Sequence, residues 1–310
     1  MNFSLAPREE KSAYTQLLIL ACYALAGAVV GSVLSLIALV ALYGTGVLQN
    51  GVGLSEGDPA YLNGLRIAQS LTSLSLFLMP PLLLAITEKT RIKTFYGFKK
   101  PKPSLLLIVF LIMVSSLPVM EWLTLTNQKM VFPEYLKSLE NWMREKEDAA
   151  MNMTILLLRI RGFGEFMINI FIIALLPAIA EELLFRGGIQ RSFSRMFRNP
   201  HVAIWVSAFI FSAIHVQFFG FFPRMLLGAA FGYIYLWTGS LWYAMFAHFL
   251  NNAYAVCQAW YLQAHHIPLD QADNSAYFPW YAYVISLILS IFLFKYLKDK
   301  TTQSNGEQLG

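Results

Sequence analysis

From Tyr14 to Tyr43 the chain contains no charged residue, and comparable apolar blocks recur to its end. A helix needs roughly 20 consecutive apolar residues to cross a bilayer. Eight blocks meet or approach that length: 14–43, 67–87, 104–126, 163–185, 202–219, 222–237, 241–262 and 278–297. In lipid, every backbone polar group must be paired within the chain, so blocks of this kind fold as helices. The expected fold is all-α, a polytopic membrane protein with about eight transmembrane helices. Composition agrees: charged residues make up 13% of the chain, against about 25% in soluble domains. With 57% hydrophobic residues, a disordered chain is excluded as well. The net charge of +5 reads as an excess of basic cytoplasmic loops and not as a nucleic-acid footprint. Cys22 and Cys257 fall inside apolar runs and read as small buried hydrophobes; they form no disulfide framework.

The basic residues are segregated. One cluster holds Lys89, Arg91, Lys93, Lys99, Lys100 and Lys102, a second Arg186, Arg191, Arg195 and Arg198, and a third Lys295, Lys298 and Lys300. Segments 44–64 and 263–277 contain no Lys or Arg. Eight spans place all three clusters on one side, which the positive-inside rule makes the cytoplasm, with both termini inside. Lys99 and Lys102 are then cytoplasmic and Asp270 is extracytoplasmic. Met1 to Lys11 lacks the features of a cleaved signal peptide. The plasma membrane of a bacterium is the expected location. Between the third and fourth spans, Phe132, Tyr135, Leu136, Leu139, Trp142 and Met143 recur at helical spacing, which suits an amphipathic helix on the membrane surface. The organisation expected is a three-span region with this interfacial helix (1–162), a helical core (163–298) and a disordered polar tail (299–310).

Ionisable groups inside spans are costly and are candidates for function. Here they concentrate between residues 181 and 252: Glu181, Glu182, Arg186, His215, His248 and Asn252, with Asn251 and Gln258 nearby. Glu182 and Arg186 are four apart, acid before base, and face each other on a helix. Glu181 points about 100° away from Glu182, so Arg186 neutralises Glu182 and leaves Glu181 free for chemistry. Phe211 and His215, and likewise His248 and Asn252, share helical faces. Gly228 and Gly232 read as a close helix-packing face, Trp237 and Trp242 as interface anchors. His265 and His266 lie in a loop without further ligands nearby in sequence.

Three of these patterns together resemble a known family. Glu181-Glu182-Leu-Leu-Phe-Arg186 resembles the Glu-Glu-x-x-x-Arg motif of the CPBP (ABI) family of type II CAAX prenyl protease-like intramembrane endopeptidases. Phe211-Ser-Ala-Ile-His215 resembles its Phe-x-x-x-His motif, and His248-Phe-Leu-Asn-Asn252 its His-x-x-x-Asn/Asp motif. Order and spacing fit, over roughly residues 166–254. The resemblance implies an eight-helix membrane hydrolase cleaving a small, lipidated or membrane-associated peptide or protein. In the eukaryotic CAAX enzymes the site opens toward the cytoplasm and the last three residues of prenylated proteins are removed. The bacterial relatives include bacteriocin-processing and immunity proteins.

Peptide hydrolysis needs a water, a base, oxyanion donors and an acid for the leaving amine. Glu181 is the natural base, His215 can hold the water and pass a proton, and His248 and Asn252 can present donors to the oxyanion. This scheme needs no cofactor. The alternative is an intramembrane metalloprotease, with Zn2+ held by His215, His248 and Glu181 and water as fourth ligand. The metal-free scheme is preferred because Asn252 is a good oxyanion donor and a poor zinc ligand. One tension concerns depth. Glu181 and His248 lie near cytoplasmic helix ends, whereas His215 comes 14 residues after His201. Two other functions compete with the endopeptidase reading: a non-catalytic membrane immunity or scaffold protein of the same fold, and a proton- or ion-coupled transporter, for which no inverted repeat is visible. The partners expected are a peptide or protein substrate at the membrane and the bilayer itself, with no nucleic acid.

Overall fold

The computed structural model describes residues 10–48, 59–269 and 278–306, and among these all regular structure is helical. We label the main helices α1 (Ala13–Tyr43), α2 (Leu62–Thr87), α3 (Pro103–Gln128), α4 (Lys137–Leu157), α5 (Phe163–Phe197), α6 (Pro200–Ala213), α7 (Phe221–Thr238), α8 (Leu241–Ala264) and α9 (Trp280–Gly306). Five of them are long and apolar enough to cross a membrane: α1, α2, α3, α5 and the stretch 280–302 of α9. The chain is therefore an integral membrane protein of helical architecture. The shorter α6, with α7 and α8, packs among these helices.

Helix starts and stops follow local chemistry. Ser12 caps α1 by accepting from the Thr15 N–H at 3.2 Å. Asn199 caps α6 by accepting from the His201 and Val202 N–H groups, with Pro200 at the first helical position. Gly239, at φ +62°, closes α7 and lets the chain turn directly into α8.

Proline shapes the interior of the helices. Pro80 and Pro177 each follow a widened π turn, at Leu74–Leu78 and Ile170–Leu175. A proline has no N–H for the carbonyl four residues back, and the residue before each one donates five residues back instead, Met79 to the Leu74 carbonyl and Leu176 to the Phe171 carbonyl. At Pro118 the repair comes from outside. The Val119 N–H donates to Ser286 Oγ at 3.1 Å, and that hydroxyl donates on to the Ser115 carbonyl, so α9 is stitched into the backbone ladder of α3. Gly27 and Gly31 let α1 approach α2 at backbone distance; a Cβ on Gly27 would lie 2.0 Å from the Ser75 carbonyl oxygen.

The register gathers all three basic clusters at one end of the bundle. Ser115 meets Ser290 and Val119 meets Ser286, so the close of α9 lies beside the start of α3. The Lys102 N–H donates to the Tyr243 hydroxyl, Ser240 Oγ donates to the Lys99 carbonyl, and Arg195 donates to the Lys11 carbonyl. The opposite end carries α4, which meets the α6–α7 loop through Trp142 and Phe218, ring centroids 5.4 Å apart. Tyr135, in the turn before α4, and Leu139 and Trp142 within it are exposed.

Four expectations need correction. The last helix continues to Gly306, so residues 299–306 are helical and not a disordered tail; Thr301 Oγ1 bonds the Leu297 carbonyl along that ladder. The fourth block does not stop at 185 but runs to Phe197 as α5. The fifth ends at Ala213, earlier than Phe219, because the chain turns left-handed at Val216 (φ +53°). Cys22 and Cys257 are exposed on the outer faces of α1 and α8, where an apolar surroundings suits a thiol as well as a core does. Asp270 lies outside the described residues.

Candidate active site

Glu181 and Glu182 sit where regular α-helix gives way to a third π segment, Leu183–Gln190. Such segments are rare and favour functional sites. The pair expected from spacing is present: Arg186 Nη1 donates to Glu182 Oε1 at 2.8 Å, and both side chains are buried. Arg186 Nη2 donates to the Gly228 carbonyl at 2.7 Å, and the guanidinium lies 5.0 and 5.4 Å from the rings of Phe211 and Phe231. One turn on, Gln190 Nε2 donates to the Gly232 carbonyl. These two rungs explain the Gly228–Gly232 spacing. A Cβ on Gly232 would come within 2.7 Å of Gln190 Oε1 and 3.0 Å of Ile204.

Spacing did not reveal that Glu182 has a second partner. His248 Nδ1 and Glu182 Oε1 are 2.8 Å apart, so one carboxylate oxygen serves both Arg186 and His248. His248 stacks on Phe231 at 5.1 Å and turns Nε2 toward Glu181 Oε2, 3.9 Å away. Glu182 is thus the group that orients His248, besides being half of an ion pair.

His215 donates Nδ1–H to the Phe211 carbonyl at 2.8 Å, which leaves Nε2 as an acceptor. The Phe211 ring stands 5.1 Å from His215 and 6.0 Å from His248 and joins the two histidines. The depth tension resolves here: α5 runs on to Phe197, so Glu181 lies about as far from the end of its helix as His215 lies from the start of α6, and both line one cavity. Asn252 Nδ2 donates to the Ile173 carbonyl at 3.2 Å, the oxygen that Pro177 cannot serve. Its second amide N–H is left for a ligand.

Glu181, His215, His248 and Asn252 line one cavity of about 360 Å³, with Thr124 and Gly220 toward the α4 end of the bundle. A second cavity of about 220 Å³ adjoins it, sharing Thr124, Pro223, Leu227 and Asn251. Arg224 also lines the first cavity, a residue the sequence analysis passed over because it lies within the apolar block 222–237. Loop 214–220 is held from outside by α4: Arg144 lies over the Phe219 ring at 4.3 Å, and Glu147 accepts from the Phe219 N–H at 3.2 Å. Burial pushes the Glu147 carboxyl up, against the pull of that N–H and of Arg224.

Among the described residues no three His, Cys, Asp or Glu side chains stand together to hold an ion. His248 bonds Glu182 and His215 bonds the Phe211 carbonyl through Nδ1, which leaves Nε2 of each ring for a ligand of either kind, a water or a metal. His265 bonds its own helix through the Tyr261 carbonyl.

The fold is an all-helical membrane bundle with paired carboxylates and two histidines converging on one cavity inside apolar helices. Residues 163–254, from the start of α5 into α8, match the family described as type II CAAX prenyl endopeptidase, Rce1-like, and that segment holds all three motifs. An uncharacterized protein of Bacillus subtilis (strain 168), YpbD, is 32% identical over 110 residues, 34% of this chain and 52% of that protein. The chain thus spans about half the length of that relative. No solved structure matches.

Proposed function

We propose that the protein is an intramembrane endopeptidase that hydrolyses a peptide bond of a membrane-associated peptide or protein with glutamate-activated water. The observation carrying this reading is the convergence of Glu181, His215, His248 and Asn252 on one cavity among apolar helices. Glu181 takes a proton from a water that His215 Nε2 helps to hold. The water oxygen attacks the peptide carbonyl carbon. His248, donating Nδ1–H to Glu182, offers Nε2–H to the developing oxyanion, and the second Asn252 N–H joins it. The protonated Glu181 then delivers its proton to the leaving nitrogen as the C–N bond breaks. No metal enters this scheme.

The gathering of the basic clusters at one end supports the eight-span topology with both termini cytoplasmic. The cavity then reaches toward the extracytoplasmic face of a bacterial plasma membrane. Its substrate is accordingly a peptide presented from that side or from within the bilayer.

The test is cleavage of apolar and lipidated peptides by purified protein, with Glu181→Gln as control and the zinc content of both preparations measured. Glu181→Gln should fold and be inactive. Loss of an oxyanion donor in Asn252→Ala should lower kcat on the order of 10²- to 10³-fold. Zinc in stoichiometric amount that His248→Ala lacks would overturn the metal-free scheme. A wild type that cleaves nothing across such a panel would favour the scaffold reading.

A further inference from the structure

Arg224 has no role in the scheme above, yet it is built into the same cavity. It lies in the first turn of α7 and faces the space lined by Glu181, His215 and Asn252. Its Nη2 donates to the neutral Gln217 side chain. Its Nη1 is buried and makes no hydrogen bond among the described residues. The guanidinium also rests on Gly220, where a Cβ would approach Nη2 to 3.3 Å, so a side chain at that position would press on it. A buried donor without a partner is costly. Glu147 and Glu181 act on the charge of Arg224 from a distance, but neither bonds that nitrogen. Gln217 and Gly220 together fix the plane of the fork, and the unpaired Nη1 belongs to the wall of the cavity that Arg224 lines. A guanidinium held in this way suits a carboxylate, whose two oxygens match the fork.

We infer that Arg224 is a substrate-binding residue that anchors a carboxylate of the peptide, at its free C terminus or on an acidic side chain, while the scissile bond lies at Glu181. The identity of the ligand as a peptide rests on the endopeptidase reading; the carboxylate contact does not. Arg224 does not serve the oxyanion, because the His248 and Asn252 donors fill that role. Its loss should therefore weaken binding and leave the chemical step intact.

The experiment uses full-length protein in detergent and three forms of one fluorescein-labelled apolar decapeptide pool: the free acid, the C-terminal amide, and the amide with one internal Glu. Binding is read by anisotropy on the inactive Glu181→Gln protein, and cleavage by mass spectrometry on the active one. The free acid, the Glu-containing amide or both should bind at least tenfold tighter than the plain amide, and which of them does so identifies the carboxylate read. Adding Arg224→Gln should abolish that preference; Arg224→Lys should retain part of it. In the active protein Arg224→Gln should raise KM for the preferred form and change kcat little. Equal binding of all three forms overturns the inference, and so does an equal loss of kcat on all three in Arg224→Gln, which would mark a role in the chemistry. If binding discriminates and no form is cleaved, the endopeptidase reading fails and the carboxylate site stands.

Discussion

The chain writes Glu-x-x-x-Arg twice, once on the surface helix α4 and once in the heart of α5. Glu140–Arg144 and Glu182–Arg186 have the same spacing, and each pair closes to 2.8 Å. Their surroundings differ. The Arg144 side chain is 41% exposed and that of Arg186 is 1% exposed. On α4 the glutamate binds Arg144, Lys137 and the Phe132 N–H, and the cluster holds a helix end and a loop in place. On α5 the glutamate binds Arg186 and a histidine from a helix 66 positions away, and the cluster faces a cavity. Spacing makes the pair, whereas burial and the third partner decide what the pair is for.

The largest effect should come from breaking the inner pair. Glu182→Gln or Arg186→Gln leaves one buried charge uncompensated, at a cost of about 3–5 kcal/mol. The double change should recover part of that stability in a thermal-unfolding cycle. It should not recover activity, because His248 Nδ1–H then faces a neutral amide in place of a carboxylate. A double mutant as active as wild type would remove Glu182 from the orientation of His248.

Next in size is Gly27→Ala, which drives a methyl into the Ser75 carbonyl and should cost about 1–3 kcal/mol by forcing α1 away from α2. Equal stability of Gly27→Ala and wild type in detergent would show that the two helices are not in close contact.

The outer pair should respond to pH. Hydrogen bonds from Arg144 and then Lys137 hold the Glu140 carboxyl at about 2, below its ordinary 4.5. A depressed carboxylate stabilises above its unfolded value and loses that contribution as pH falls through the folded one. The protection of α4 amides from hydrogen exchange, taken relative to the intrinsic rate at each pH, should accordingly hold down to about pH 4.5 and fall toward pH 2. Glu140→Gln should exchange faster already at neutral pH, and a flat profile for wild type would disprove the assignment. The smallest effect belongs to Lys137→Ala: its side chain is 47% exposed, and removing it should leave Tm unchanged within error.

What was legible in the sequence was local or periodic. Apolar runs announced the helices, and four-residue spacings announced Glu182–Arg186 and the alignment of Phe211 with His215. Order and spacing of the motifs announced the family match over residues 163–254. The bond between His248 and Glu182 was not legible, because nothing local relates positions 66 residues apart. The π turns before Pro80 and Pro177 were missed because a regular period of 3.6 was assumed throughout. Arg224 was missed because one cation in an apolar block looks like a helix-end residue until its neighbours are known. The helical stretch 299–306 was not legible because polar residues alone do not separate a helix from disorder, and a long helix can carry its own backbone pairing past the membrane.

Glu182 Oε1 accepts from both Arg186 and His248, while its Oε2 is buried and has no partner among the described residues. A single oxygen thus joins the folding of the bundle to the setting of its histidine. For lineages of such proteins this makes the two adjacent glutamates unequal under mutation. In the proposed scheme a change at Glu181 removes the base and spares the fold, so a descendant could lose hydrolysis and persist as a membrane-resident binding protein. A change at Glu182 should cost folded protein along with activity. Relatives that have abandoned catalysis should therefore vary at the position of Glu181 and keep those of Glu182 and Arg186.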